Sequence, residues 1–125
     1  MNNKSVKLSI IIPHYNGSKI LIECLESLNN CSYDNLEILV VDNGSIDDSL
    51  ELVNKKFPRI KVVTSDKNRG YAGGCNLGAK FAKGDYLLFL NNDTIHEIGW
   101  LEPLVEKLDE DINISSVQPK ILNYY

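Results

Sequence analysis

Asp85-Tyr-Leu-Leu-Phe-Leu90, followed at once by Asn91-Asn92-Asp93-Thr94, is the stretch that decides the fold. Tyr86 to Leu90 is an unbroken apolar run, too short for a helix and rich in aromatic and branched side chains, which predicts a strand buried on both faces. Strands of that kind belong to sheets covered by helices. The run stops abruptly at polar groups. An acid beside two amides, placed where a buried strand ends, is a position where a rigid scaffold can hold a cation or a hydroxylated ligand. Asp93 is the first candidate.

Working outward, strand-like and helix-like segments alternate. Val6 to Ile12 carries Leu8, Ile10, Ile11 and Ile12 and is expected to stop at Pro13, which cannot donate to a ladder. Ser18 is expected to cap a helix whose Leu21, Cys24, Leu25 and Leu28 share one face. Leu36 to Val41 reads as a second strand, and Asp42-Asn43-Gly44-Ser45 as its turn. Asp47 and Asp48 favour a helix start, and Ile46, Leu50, Val53 and Phe57 form its apolar stripe before Pro58. Ile60 to Val63 is a short third strand. Gly70-Tyr-Ala-Gly-Gly-Cys-Asn-Leu-Gly78 is a glycine-rich run entering a helix with Leu77, Ala79, Phe81 and Ala82 that closes at Gly84. After the opening strand, Trp100, Leu101, Leu104, Val105 and Leu108 mark a last helix, and Ile114 to Val117 is expected to be a fifth strand.

Strand and helix alternating at short spacing imply right-handed parallel crossovers, hence an α/β fold with a three-layer, Rossmann-like, mostly parallel sheet. If the strand order is 3-2-1-4, the first and fourth strands meet at a topological switch point, where ligands bind at the carboxyl ends. Every unusual polar cluster lies at such an end: Pro13 to Gly17, Asp42 to Ser45, Asn68 to Gly70, and Asn91 to Asp93.

Bulk properties exclude other classes. The 125 residues suit one domain, and the longest apolar runs are far too short to cross a bilayer. A net charge of -4 without a basic run argues against nucleic acid as a partner. Cys24, Cys31 and Cys75 show neither paired spacing nor nearby histidines, so they predict neither a disulfide framework nor a zinc site. Met1-Asn-Asn-Lys-Ser5 has no apolar signal region, and the cytoplasm is the expected compartment.

The clusters leave chemical alternatives open. Asp42 either accepts hydrogen bonds from a nucleotide base or ribose, or only forms the turn with Gly44. The dinucleotide glycine fingerprint and the phosphate-loop motif are both missing. Gly70, Gly73 and Gly74 allow a ligand close to the backbone with Lys67 or Arg69 beside it, or they allow tight helix packing, which suits Gly78 better. Asp93 either supplies the one carboxylate that Mg2+ or Mn2+ needs when phosphates and waters fill the other positions, or is a turn residue. His14 is ambiguous between a structural and a catalytic role.

With these residues in view, the chain resembles the nucleotide-binding half of a family 2 glycosyltransferase of the GT-A fold, in particular its rhamnosyltransferase-like branch. The resemblance rests on Ser9-Ile-Ile-Ile-Pro-His-Tyr-Asn16, Val40-Val-Asp-Asn-Gly-Ser-Ile-Asp47, Asn68 to Gly78 and Leu87-Leu-Phe-Leu-Asn-Asn-Asp-Thr94, with Gly99-Trp-Leu101 and Gln118-Pro-Lys-Ile-Leu122 behind them. It implies transfer of a sugar from a nucleotide-diphosphate sugar to an acceptor hydroxyl with inversion, in polysaccharide or glycan assembly. By motif, Pro13, Tyr15 and Asn16 would line the nucleotide pocket, Asp42 would contact the base with Ser45 nearby, and Asn68 and Gly70 would border the cleft. Asn91-Asn92-Asp93 stands where the family places its D-x-D motif: Asp93 would hold the divalent metal, Asn92 would face the ribose, and Asn91 replaces the first acid by a neutral group.

The resemblance also implies a glycan or lipid-linked acceptor, with the longer protein peripherally at the inner face of the membrane. It places the acceptor site and the catalytic base beyond this stretch, so residues 1–125 are expected to be a C-terminally truncated donor-binding part, and no catalytic base is assigned. Two rivals stand beside this reading. One is a non-catalytic nucleotide-sugar-binding or interaction domain of the same fold. The other is a nucleotidyltransferase, for which Pro13-His-Tyr-Asn16 lacks the required glycine-rich loop.

Overall fold

The computed structural model describes residues 6–123, so the opening pentapeptide and the last two tyrosines lie outside it. Four strands, β1 (Leu8–His14), β2 (Leu36–Asp42), β3 (Lys61–Thr64) and β4 (Tyr86–Phe89), form one parallel sheet in the order β3-β2-β1-β4. Between and after them run the helices α1 (Ser18–Asn29), α2 (Ser49–Lys56), α3 (Gly70–Phe81) and α4 (Leu101–Glu110). This is the expected three-layer α/β architecture with the switch point between β1 and β4.

Alternation along the strands decides the two faces. Leu8, Ile10, Ile12 and Val40 point to the side where Leu21, Cys24, Leu25 and Leu28 of α1, Val53 of α2, and Leu101 and Val105 of α4 close the main core. Each fully buried branched side chain there contributes roughly 1.5–3 kcal/mol of transfer free energy. Ile11 and Val41 point to the other side and meet α3 so closely that an added Cβ on Gly78 would lie 2.5 Å from Ile11 Cγ2 and 2.8 Å from Val41 Cγ2. Gly78 is therefore a packing glycine, and Leu39 and Val41 are fully covered beneath that helix.

Several expectations are corrected. β4 is not buried on both faces: Leu87 and Phe89 are 44% and 49% exposed, because α3 alone occupies that side and sits over β1 and β2. Residues 114–117 form no strand. They lie in an irregular segment after α4, where no neighbouring strand offers them a ladder. β1 runs through Pro13 to His14, since the alternation that sends Ile11 O to Leu90 N–H turns the proline nitrogen to the same side, beyond the last β4 pair at Ile11 and Phe89.

Helix starts differ as well. Ser18 is the first residue of α1 rather than its cap; Gly17, at φ +94°, holds that place without a side-chain cap. Ile46 is 87% exposed and Phe81 53%, so neither belongs to the apolar stripe expected of its helix. The glycine-rich run Gly70 to Gly78 is itself most of α3, which ends at Phe81, ahead of Gly84.

Candidate functional site

All four strand ends deliver polar groups to one edge of the sheet, and each is held there by a partner far away in the chain. Past the ends of the strands the ladder continues for one bond each, from Asn43 N–H to His14 O and from Ser65 N–H to Asp42 O, both 2.8 Å. These bonds hold the first residues of the loops as rigidly as strand residues. The polar groups are thus mounted on the sheet rather than on free loop tips.

The two loops that follow β1 and β2 are pinned together. Asn16, at φ 50°, donates its N–H to Ser45 Oγ at 2.9 Å and accepts the Ile46 N–H on its Oδ1 at 2.9 Å. The left-handed backbone is one that asparagine tolerates better than most residues. Gly17 N–H donates to Asp47 Oδ2 at 2.7 Å. Asn16 and Ser45 are therefore placed at the site as each other's partners.

Asp42 is only 1% exposed, and its carboxylate accepts the N–H groups of Gly44 and Ser45 at 3.2–3.3 Å. Of the two readings open from sequence, the turn-forming one is what the geometry displays. The adjacent Asn43 was read only as a turn residue, yet it clamps the start of α3. Its Oδ1 accepts Arg69 N–H and its Nδ2 donates to Gly70 O, both at 3.3 Å. Asn68 Oδ1 accepts the Gly70 N–H at 2.9 Å, and Gly70 itself needs φ +71°.

Arg69 does not stand free beside a ligand. Its Nε donates to Ser65 Oγ at 2.9 Å and its Nη2 pairs with Asp66 Oδ1 at 2.8 Å, which folds the guanidinium back onto its own loop. Lys67 and Asn68 are exposed.

These pieces enclose a cleft of about 240 Å³ lined by Pro13, His14, Tyr15, Asn43, Asn68, Gly70 and Tyr71. Pro13, Tyr15, Asn68 and Gly70 are thus brought together as expected. Tyr71 was not singled out from sequence; it sits one residue into α3, and it and Tyr15, each about half-exposed, present aromatic surface to the opening. An aromatic at the start of a glycine-rich helix is the signal that would have found it.

Beside the cleft lies the end of β4. Asn92 is half-buried, while Asn91 and Asp93 are exposed. In the segment beyond, Thr94 Oγ1 donates to Asn91 O at 3.0 Å, His96 N–H donates to Ser27 Oγ of α1 at 3.2 Å, and the His96 ring stacks on Trp100, just ahead of α4, at 4.2 Å. Burial drives the His96 imidazole down to about 4. His14, 2% exposed, joins the two sides of the site, with Nε2 2.8 Å from Ser49 Oγ and Nδ1 2.9 Å from Asn92 Nδ2. Its pKa is lowered by burial, against the opposing charges of Asp47 and Asp42.

Among the described residues no group of three His, Cys, Asp or Glu side chains is placed to cage an ion, and none of the ion pairs includes Asp93. A single exposed carboxylate suits a hard cation that takes its other ligands from phosphates and water.

The family model for Glycosyl transferase family 2 matches residues 9–122. Among curated proteins, glycosyltransferase GlyG of Streptococcus pneumoniae is 32% identical over 121 residues, 94% of this chain and 39% of that protein. The chain thus spans about two fifths of that relative. Among solved structures, S. aureus TarS 1-349 in complex with UDP-GlcNAc is 30% identical with a TM-score of 0.74, over 83% of this chain and 31% of that one. A mannosyltransferase of Pyrobaculum calidifontis in complex with GDP-Man and Mn2+ shares the fold at a TM-score of 0.66 and 24% identity, over 74% of this chain and 29% of that one.

Proposed function

The chain belongs to glycosyl transferase family 2, and from that premise we propose that it is the donor-binding part of an inverting enzyme that moves a sugar from a nucleotide-diphosphate sugar to an acceptor hydroxyl. The observation that carries the proposal is the convergence of the ends of β1, β2 and β3 on one cleft, with the end of β4, Asn91-Asn92-Asp93, at its side. The rhamnosyltransferase-like branch, a role in polysaccharide or glycan assembly, a glycan or lipid-linked acceptor and a place at the inner face of the membrane belong to the same proposal. Among the described residues, no helix is long and apolar enough to cross a membrane.

In this reading Tyr15 and Tyr71 flank the nucleotide, and the rigid loop built on Asp42 sets the depth to which a base can enter. Gly70, held by Asn43, and Asn68, which accepts the Gly70 N–H, form the far wall. Asn92 faces the ribose. Asp93 would hold Mg2+ or Mn2+, which when bound supplies positive charge against the departing diphosphate. Arg69, tied to Asp66, contributes little to that charge.

Thermal unfolding tests the proposal. A ligand that binds only the folded chain, at a hundred times its Kd, stabilises by about 2.7 kcal/mol, which for a chain of this size raises Tm by on the order of 10 °C. UDP-GlcNAc with Mn2+ is expected to raise Tm, and Asp93→Ala to remove the metal's share of the rise. No shift with UDP-, GDP- or dTDP-sugars, with or without metal, would sink the proposal.

A further inference from the structure

Proton accounting along a buried chain of side chains assigns a role to His14 that rests on the donor-site reading above. Ser49 Oγ stands 2.5 Å from Asp47 Oδ1 and 2.8 Å from His14 Nε2. Asp47 also accepts the N–H groups of Gly17 and Ser49. Those donors, the Ser49 hydroxyl first, hold its carboxyl below the usual range, so it is ionised at neutral pH and brings no proton of its own.

The Ser49 hydroxyl proton therefore lies on the bond to Asp47. Toward His14 the Ser49 oxygen can only accept, so Nε2 carries the imidazole proton. A neutral imidazole has a single N–H. Nδ1 is then an acceptor, and its neighbour at 2.9 Å must be a donor, which is the Nδ2 of Asn92. The carbonyl Oδ1 is the end of the Asn92 amide left over. It makes no hydrogen bond among the described residues, and it is not among their buried polar atoms without a partner, so it is open to solvent.

We infer that His14 is a positioning residue: it fixes the Asn92 amide with one Nδ2 N–H on the imidazole and Oδ1 left beside the cleft as the acceptor for a ligand hydroxyl, which inorganic pyrophosphate lacks. The direction originates at Asp47, ahead of α2, and passes through Ser49 and the end of β1 to the end of β4. His14 lines the cleft, but both its ring nitrogens are engaged within the protein, by Ser49 and by Asn92.

The test is 15N-resolved NMR of the whole 125-residue chain at pH 7, followed by titration with UDP or with inorganic pyrophosphate, each with Mg2+. The unaltered chain is expected to show His14 as the Nε2–H tautomer, and an Nδ1–H tautomer or an imidazolium overturns the inference without any variant. His14→Gln keeps a donor toward Ser49 and loses the acceptor for Asn92. It is expected to shift the Asn92 amide resonances and to raise the Kd for UDP roughly five-fold, the worth of one hydrogen bond, while leaving the Kd for pyrophosphate unchanged. Equal UDP affinity in both proteins, or an equal loss for both ligands, overturns the role of His14. Failure of the unaltered chain to bind UDP at all overturns the donor-site reading instead, together with the ligand-facing role given to Asn92.

Discussion

Replacing Gly78 by alanine should destabilise the chain, although the same change in an open stretch of helix stabilises by about 1 kcal/mol. The new methyl would lie 2.5 Å from Ile11 Cγ2 and 2.8 Å from Val41 Cγ2, against an optimum near ~3.5–4.0 Å for carbon atoms. Neither neighbour can give way by rotation. Both are β-branched, both are fully buried in central strands, and a different rotamer would drive the other methyl into α3 or the sheet. The helix must therefore rise by about 1 Å, at a cost near the upper end of the ~1–3 kcal/mol typical of overpacking.

Set against the gain in helix propensity, the net loss is about 2 kcal/mol. With a urea dependence near 2 kcal/mol per molar, the unfolding midpoint should fall by about 1 M. A rise of α3 also draws Gly70 and Tyr71 away from Pro13, so affinity for UDP should fall along with stability. Combining Gly78→Ala with Ile11→Ala removes the closer of the two opposing methyls, and the double mutant should recover more than 0.5 kcal/mol over the sum of the single changes. A midpoint that stays put or rises in Gly78→Ala would refute the packing role, and additive effects in the double mutant would place the cost elsewhere.

Two further outcomes concern buried polar groups. Asp42→Ala leaves the N–H groups of Gly44 and Ser45 without their acceptor in a buried turn and should cost about 1–3 kcal/mol in denaturant melts; an unchanged midpoint would mean that water replaces the carboxylate freely. The His96 imidazole, held at about 4 in the fold against 6.5 unfolded, lets the unfolded chain bind more protons between those values, so stability is full above pH 6.5 and falls as pH drops toward 4. Discounted for partial solvent exposure, the loss is about 1–2 kcal/mol. His96→Phe, which keeps a ring against Trp100, should flatten that part of the profile, and an unchanged slope between pH 7 and 4.5 would assign the acid sensitivity to His14 or to carboxylates instead.

Local order was legible in the chain itself. Strand and helix periods, Pro58 after α2 and the turn chemistry of Asp42 to Ser45 need only near neighbours, so the parallel α/β fold and the four polar strand ends could be read directly, whereas the order β3-β2-β1-β4 entered only as a condition. The glycines of α3 were harder, because a loop and a closely packed helix want the same residue. Only the 2.5 Å approach to Ile11 separates them at Gly78.

What tertiary structure alone decided is which polar groups are partners and which apolar surfaces are covered. An unbroken apolar run placed β4 in a sheet, but its exposed Leu87 and Phe89 depend on where α3 comes to rest, and residues 114–117 depend on having a strand to join. A lone histidine after a proline says nothing about its bonds, since its partners lie 35 residues away at Ser49 and 78 away at Asn92. Period and propensity act over a few residues, whereas a hydrogen bond acts only between atoms already held within about 3 Å, and it is the folded sheet that brings such distant residues to that distance.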